Sequence, residues 1–93
     1  MSLDFDEIMH LLEEGDAYPS RLSLLDELGQ LALKDKEAEN KLYEFAAVET
    51  GTQECKIIAK YLVELSEKSL TAAIILGEEK FFPYMDRLRK TLL

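Results

Sequence analysis

Residues 53–68 read QECKIIAKYLVELSEK and show the clearest helical pattern in the chain. Apolar side chains recur there at spacings of three and four residues, which places them on one side of an α-helix. They are Ile57, Ile58, Tyr61, Leu62 and Leu65. A helix with one apolar side buries that side against a neighbour. The pattern therefore predicts a helix that belongs to a larger helical core.

Segments of similar length lie on both sides of this helix, and polar breaks of a few residues separate them. We predict six short helices, over residues 4–14, 18–33, 36–49, 53–68 and 70–76 and from about Pro83 onward. Connections of two to five residues place consecutive helices next to each other in opposite directions. The sequence therefore predicts an all-α fold of five to six short antiparallel helices.

Residues with capping chemistry stand where several helices are expected to begin. Asp4, followed by Glu7 three residues later, is expected to cap the first helix. Pro19 suits a first helical position, Ser20 is its rival as the N-cap, and Ser69 is a natural N-cap for the fifth helix.

The remaining breaks and two of the helices lead to five further expectations. Gly51 is expected to end the third helix in the left-handed conformation, and Thr52 to cap the fourth. Phe82 stands before a proline and is expected to be non-helical. Val48 is assigned to the apolar side of the third helix. Residues 70–76 are apolar nearly all round, which predicts burial on several sides.

The 93 residues are expected to form one domain, and 47% apolar with 32% charged residues is typical of a globular chain. Residues 1–3 match a vector remnant, and the acidic start that follows lacks the basic region of a signal peptide. No apolar run reaches the roughly 18 residues of a membrane span. The single cysteine, Cys55, favours a reducing compartment, so we expect a cytoplasmic protein.

Charge is divided unevenly along the chain. Residues 1–54 hold 14 acidic and 4 basic side chains, whereas residues 55–93 hold 5 acidic and 7 basic ones. An acidic majority repels phosphate, which argues against nucleic acid as a partner. It is compatible with a basic protein partner or with no charged partner at all.

The first two predicted helices resemble a HEAT-type repeat. The resemblance is carried by IMHLLEEGD, residues 8–16, and RLSLLDELGQLA, residues 21–32: an apolar helix, a turn with an acidic residue, and a second helix that opens with arginine. Starts near residues 36 and 69 suggest two further pairs, although Thr50 and Cys55 depart from the pattern in the second pair and Pro83 interrupts the third. The resemblance implies stacked helix pairs that expose binding faces to protein partners. A compact irregular bundle is the alternative.

Residues with possible site chemistry are few. His10 has glutamates within one helical turn, but a metal site needs two or more strong ligands in fixed geometry, so we expect a surface histidine. Cys55 has no histidine near it in sequence and is expected to be a small buried residue. The pairs Glu13-Glu14 and Glu78-Glu79 point about 100° apart on a helix, so neither forms a carboxylate dyad. No catalytic residue, cofactor or metal is predicted.

The C-terminal stretch is basic and aromatic, and it is the candidate interaction surface. Its members are Lys80, Phe81, Tyr84, Arg87, Arg89 and Lys90. Such a surface suits a membrane surface, a protein partner or the acidic half of a second copy of the chain. The alternative is a closing helix with its apolar side in the core.

Three functional hypotheses follow. The first is a non-enzymatic protein-interaction or scaffold module. The second is a small metal-dependent helical enzyme that uses His10. The third is an acidic mimic that binds a basic protein surface, which requires acids on one face: Asp4, Asp6, Glu13, Glu14, Asp26, Glu37, Glu39 and Glu44.

Overall fold

The computed structural model describes residues 4–14 and 20–84, and within these ranges the chain is helical with no strand. The helices are α1 (Phe5–Glu14), α2 (Arg21–Ala32), α3 (Lys36–Val48), α4 (Thr52–Ser66) and α5 (Leu70–Leu76), followed by a 3₁₀ helix (Glu79–Phe81). The predicted all-α class is confirmed. The break at Gly15-Asp16, Pro19 and the predicted helix beyond Tyr84 lie outside the described residues.

Short polar side chains fix the starts of four helices. Each accepts a hydrogen bond from the backbone N–H three residues ahead, which satisfies a donor that the helix itself leaves free. These residues are Asp4, Ser20, Asp35 and Ser69, and the donor–acceptor distances lie between 2.8 and 3.3 Å. The expected roles of Asp4, Ser20 and Ser69 are confirmed, and Asp35 adds a cap that the sequence analysis missed.

Helix α2 lies at the centre of the arrangement and packs against α1, α3 and α4, while α5 packs against α4 and α3. The starts of α2 and α4 meet at Glu49. Arg21 pairs with the Glu49 carboxylate, and the Cys55 thiol contacts the Glu49 carbonyl. Further along both helices, Asp26 contacts Tyr61. Helices α2 and α4 therefore lie side by side and run in the same direction.

The buried core draws on every helix. The fully enclosed large side chains include Ile8 of α1, Leu24 and Leu28 of α2, Leu42 of α3, Ile58 and Leu62 of α4, and Phe81 of the 3₁₀ helix. The apolar side predicted for α4 is the buried side. Four of its five side chains are buried, and only Ile57 is partly exposed. The helical period of residues 53–68 thus marks the core face of α4.

A close approach between α2 and α4 depends on the absence of a side chain at Gly29. A Cβ atom added there would lie 2.1 Å from Cδ2 of Tyr61. The ring of Tyr61 is nearly completely buried and occupies that space. Glycine is unfavourable inside a helix, so its presence in α2 is explained by the room that it leaves for the tyrosine.

Three expectations about helix ends and backbone conformation are wrong. Gly51 has a φ of −65° and stands at the N-cap of α4, so it is extended and not left-handed. Thr52 is already inside the helix, and no side chain caps it. Phe82 has a φ of −53° and a ψ of −44°, which is helical geometry despite the proline that follows. The 3₁₀ turn before Phe82 continues through it, which overrides the preference of a residue before proline.

Two expectations about burial are also wrong. Val48 is 73% exposed because it is the last residue of α3, beyond the part of the helix that faces its neighbours. Helix α5 buries only one side, through Ala72 and Leu76. On its other side Leu70, Ala73 and Ile74 stay exposed, and α4 and α3 are the described helices that pack against it.

Candidate functional site

Lys80, predicted as part of an interaction surface, is largely occupied inside the molecule. Its ammonium group donates hydrogen bonds to the backbone carbonyls of Ala46 and Glu49, the latter at 2.7 Å. These carbonyls lie at the end of α3, where backbone oxygens lack helical partners and carry partial negative charge. The carboxylate of Glu78 lies 3.7 Å away. Lys80 therefore ties the 3₁₀ helix to the end of α3.

Phe81 and Tyr84 complete this tie. Phe81 is fully buried, so its assignment to the interaction surface is wrong: its ring fills the space beside α4. The hydroxyl of Tyr84 donates to the carbonyl of Thr52 at 2.9 Å, at the start of α4. Arg87, Arg89 and Lys90 lie outside the described residues. The described part of the predicted surface therefore works mainly as an internal closure.

Cys55 lies at the same junction, in the first turn of α4. It is buried, and its thiol donates a weak hydrogen bond to the Glu49 carbonyl at 3.6 Å. Burial raises the pKa of the Cys55 thiol, although the positive charge of Lys80 opposes this effect. A raised pKa keeps the thiol protonated, whereas a nucleophile needs the thiolate. The geometry agrees with the expected role as a small buried residue.

His10 is exposed on α1, as expected, and its Nε2 lies 3.0 Å from a carboxylate oxygen of Glu14, one turn further along. Among the described residues, no group of three or more histidine, cysteine or acidic side chains has the geometry to hold a metal ion. In that same part of the chain, no buried side-chain nitrogen or oxygen is left without a hydrogen-bond partner.

A polar cluster that the sequence analysis missed links α2 and α4. The hydroxyl of Tyr61 donates to Asp26 at 2.6 Å, and the ammonium group of Lys60 lies 3.6 Å from the same carboxylate oxygen. Burial raises the pKa of Tyr61, and the hydrogen bond to Asp26 raises it further. The residues are 35 positions apart in the chain, so no local spacing signals the contact. Its role is to hold the two helices in register.

The outward side of α5 is the feature that the packing does not explain. Leu70 is 77% exposed and Ile74, one turn later, is 66% exposed. Ala73 lies beside them and is also exposed, and α5 contains no charged residue. We call the set of Leu70, Ala73 and Ile74 the α5 face. A surface helix normally presents polar side chains to water, so the α5 face is a candidate binding surface.

Comparison with known proteins gives no relative: no family model, no curated protein and no solved structure matches the chain. In the part of the chain that the structure describes, none of the helices combines the length and the apolar character needed to cross a membrane.

Proposed function

We propose that this chain is a non-enzymatic protein-interaction module that binds a protein partner through the α5 face. The observation that carries the proposal is the pair of strongly exposed aliphatic side chains, Leu70 and Ile74, on one side of a helix without charge. Single exposed apolar residues are ordinary on protein surfaces, whereas neighbouring ones rimmed by polar residues are typical of interaction sites.

Water around Leu70 and Ile74 gives the energetic reason for association. Each buried square ångström of apolar surface contributes about 25 cal/mol, so covering two aliphatic side chains favours association. The contact of α5 with the core is made by Ala72 and Leu76, which are buried, and not by Leu70 and Ile74. Leu70 and Ile74 therefore contribute little to the fold, and a partner is what would use them.

Charge narrows the class of partner to protein. The net charge of −8 repels phosphate, so the proposal does not include nucleic acid. The α5 face has no basic side chain that could contact a phosphate group. An apolar helix face instead suits another helix or an apolar groove.

The architecture that we propose for the module is the HEAT-like array of helix pairs. It is supported by the parallel course of α2 and α4, since equivalent helices of stacked pairs lie side by side in the same direction. A terminal pair in such a stack exposes an apolar face unless something caps it. We also propose that the protein is cytoplasmic, which the single unpaired cysteine supports.

Site-specific photo-crosslinking tests this proposal. A photoreactive amino acid is placed at position 74 and, as a matched control, at the equally exposed position 48 of α3. After irradiation in cells that produce the chain, adducts are isolated and identified by mass spectrometry. We expect a discrete protein adduct at position 74 that is absent at position 48. No adduct at position 74, or the same adducts at both positions, would contradict the proposal.

A further inference from the structure

We infer that the partner of the α5 face is a second copy of the same chain, and that two copies pair through α5 in an antiparallel, two-fold arrangement. This inference rests on the proposed function and specifies its partner. A two-fold contact brings identical surfaces together, so the surface must be complementary to itself. A row of aliphatic side chains without charge meets this condition, because apolar burial does not depend on direction.

The distribution of charge over the fold supports a second copy. Residues 1–54 carry nearly all the excess of acids, with 14 acidic and 4 basic side chains. From Cys55 to Tyr84, in contrast, four acidic side chains are balanced by four basic ones. The segment that contains α5 therefore has no net charge, so charge does not oppose the meeting of two copies there. A basic partner would instead be drawn toward the acidic side chains of residues 1–54.

The residues at the two ends of α5 favour the antiparallel orientation. Lys68 is exposed just before the helix, and Glu78 and Glu79 are exposed just after it. A parallel pair would set the carboxylates of the two copies beside each other, which is unfavourable. An antiparallel pair places Lys68 of each copy near the carboxylates of the other. It also opposes the two helix dipoles, since each positive N-terminus lies near a negative C-terminus.

The size of α5 limits the strength of the contact. A helix of seven residues offers less area than the roughly 1,200 Å² at which standard stable interfaces begin. We therefore expect a reversible dimer with a Kd between about 1 μM and 1 mM. Such a dimer responds to concentration, which makes it measurable.

Sedimentation velocity of the full chain over a concentration series is the first measurement. We expect the wild type to shift from monomer to dimer as its concentration rises. Ile74→Glu should weaken the dimer by about tenfold or more, because it places a carboxylate in the contact of each copy. Val48→Glu makes a closely similar aliphatic-to-acid change at an exposed position of α3 and should leave the dimer unchanged. A wild type that stays monomeric at about 1 mM, or equal weakening by both variants, would overturn the inference.

Disulfide trapping gives a second, independent measurement. In a Cys55→Ser background, Ala73→Cys places one thiol at the middle of the α5 face, and Ser23→Cys places one on the exposed side of α2. Mild oxidation should produce a covalent dimer with Ala73→Cys and little with Ser23→Cys. Similar yields for the two variants would contradict pairing through α5.

The two proposals can fail separately. A chain that is monomeric, with no self-adduct at position 74 but with a different protein attached there, would remove the second copy and retain the interaction module. A chain with no adduct at position 74 and no self-association would remove both.

Discussion

Helices α4 and α5 follow each other in the chain, yet the side chains that they expose to water are of opposite character. Helix α4 buries one side and carries charged residues such as Lys56, Lys60 and Glu64 on the other. Helix α5 buries one side and leaves Leu70 and Ile74 on the other. Folding therefore buries or partly buries every apolar side chain of α4, but it leaves three of the six apolar side chains of α5 exposed. The exposed apolar side chains of α5 are the ones that the proposed association would cover.

We expect the largest effect of a substitution on stability at Phe81, in the 3₁₀ helix that packs against α4. Phe81→Ala removes a fully buried ring and leaves a cavity, which should lower the free energy of unfolding by about 3–5 kcal/mol. The total for a chain of this size is only about 5–14 kcal/mol. Urea unfolding followed by circular dichroism measures the loss. Phe82→Ala changes the neighbouring phenylalanine, which is half exposed, and should cost much less. Equal losses would mean that Phe81 is not in the core.

The close contact of α2 and α4 gives the next effect in size. Gly29→Ala sets a methyl group against the Tyr61 ring and should destabilise the protein by about 1–3 kcal/mol. The same change usually stabilises a helix by about 0.5–1 kcal/mol. In a Tyr61→Ala background the clash is absent, so Gly29→Ala should become neutral or stabilising there. Thermal or urea unfolding midpoints of the wild type, the two single variants and the double variant measure this difference.

Removal of the Tyr61–Asp26 hydrogen bond should lower stability by a smaller amount, and it should also change how stability depends on pH. Tyr61→Phe should cost about 1–2 kcal/mol, since the acceptor is charged but partly exposed. The pKa of Tyr61 is raised in the folded protein, so above about pH 10 the unfolded chain releases this proton first. Wild-type stability should therefore fall as the pH rises above 10, and Tyr61→Phe should reduce that slope. Urea unfolding at pH 8 and pH 10.5 provides the comparison, and an unchanged slope would contradict it.

The sequence predicted what depends on neighbours along the chain and missed what depends on contacts across it. The core side of α4 followed from helical spacing, and the caps at Asp4, Ser20 and Ser69 followed from side-chain chemistry. The contact between Asp26 and Tyr61 joins separate helices, so no local pattern contains it.

The α5 face was missed, and part of the C-terminal surface was wrongly assigned, for a related reason. Composition showed that α5 is apolar all round, which indicates that its sides favour burial. It does not show whether the chain itself supplies enough neighbours, and among the described residues α3 and α4 leave Leu70, Ala73 and Ile74 exposed. Lys80 and Phe81 were assigned to a surface because a stretch of basic and aromatic residues suits a partner-binding helix. The end of α3, with its free carbonyls, instead binds Lys80 internally.

The smallest expected effect on folding is the one that separates the two sides of α5. Ile74→Ala and Leu76→Ala shorten aliphatic side chains two residues apart in the same helix, and alanine is the better helix former at both positions, with a slightly larger gain for isoleucine. Leu76 is buried, and its loss should cost about 2–5 kcal/mol. Ile74 is 66% exposed, so its loss should change the free energy of unfolding by less than about 0.5 kcal/mol. Both values are measured by urea unfolding at dilute protein, where association does not contribute. If Ile74→Ala proved as costly as Leu76→Ala under those conditions, the outer side of α5 would belong to the folded core, and the case for a partner there would be lost.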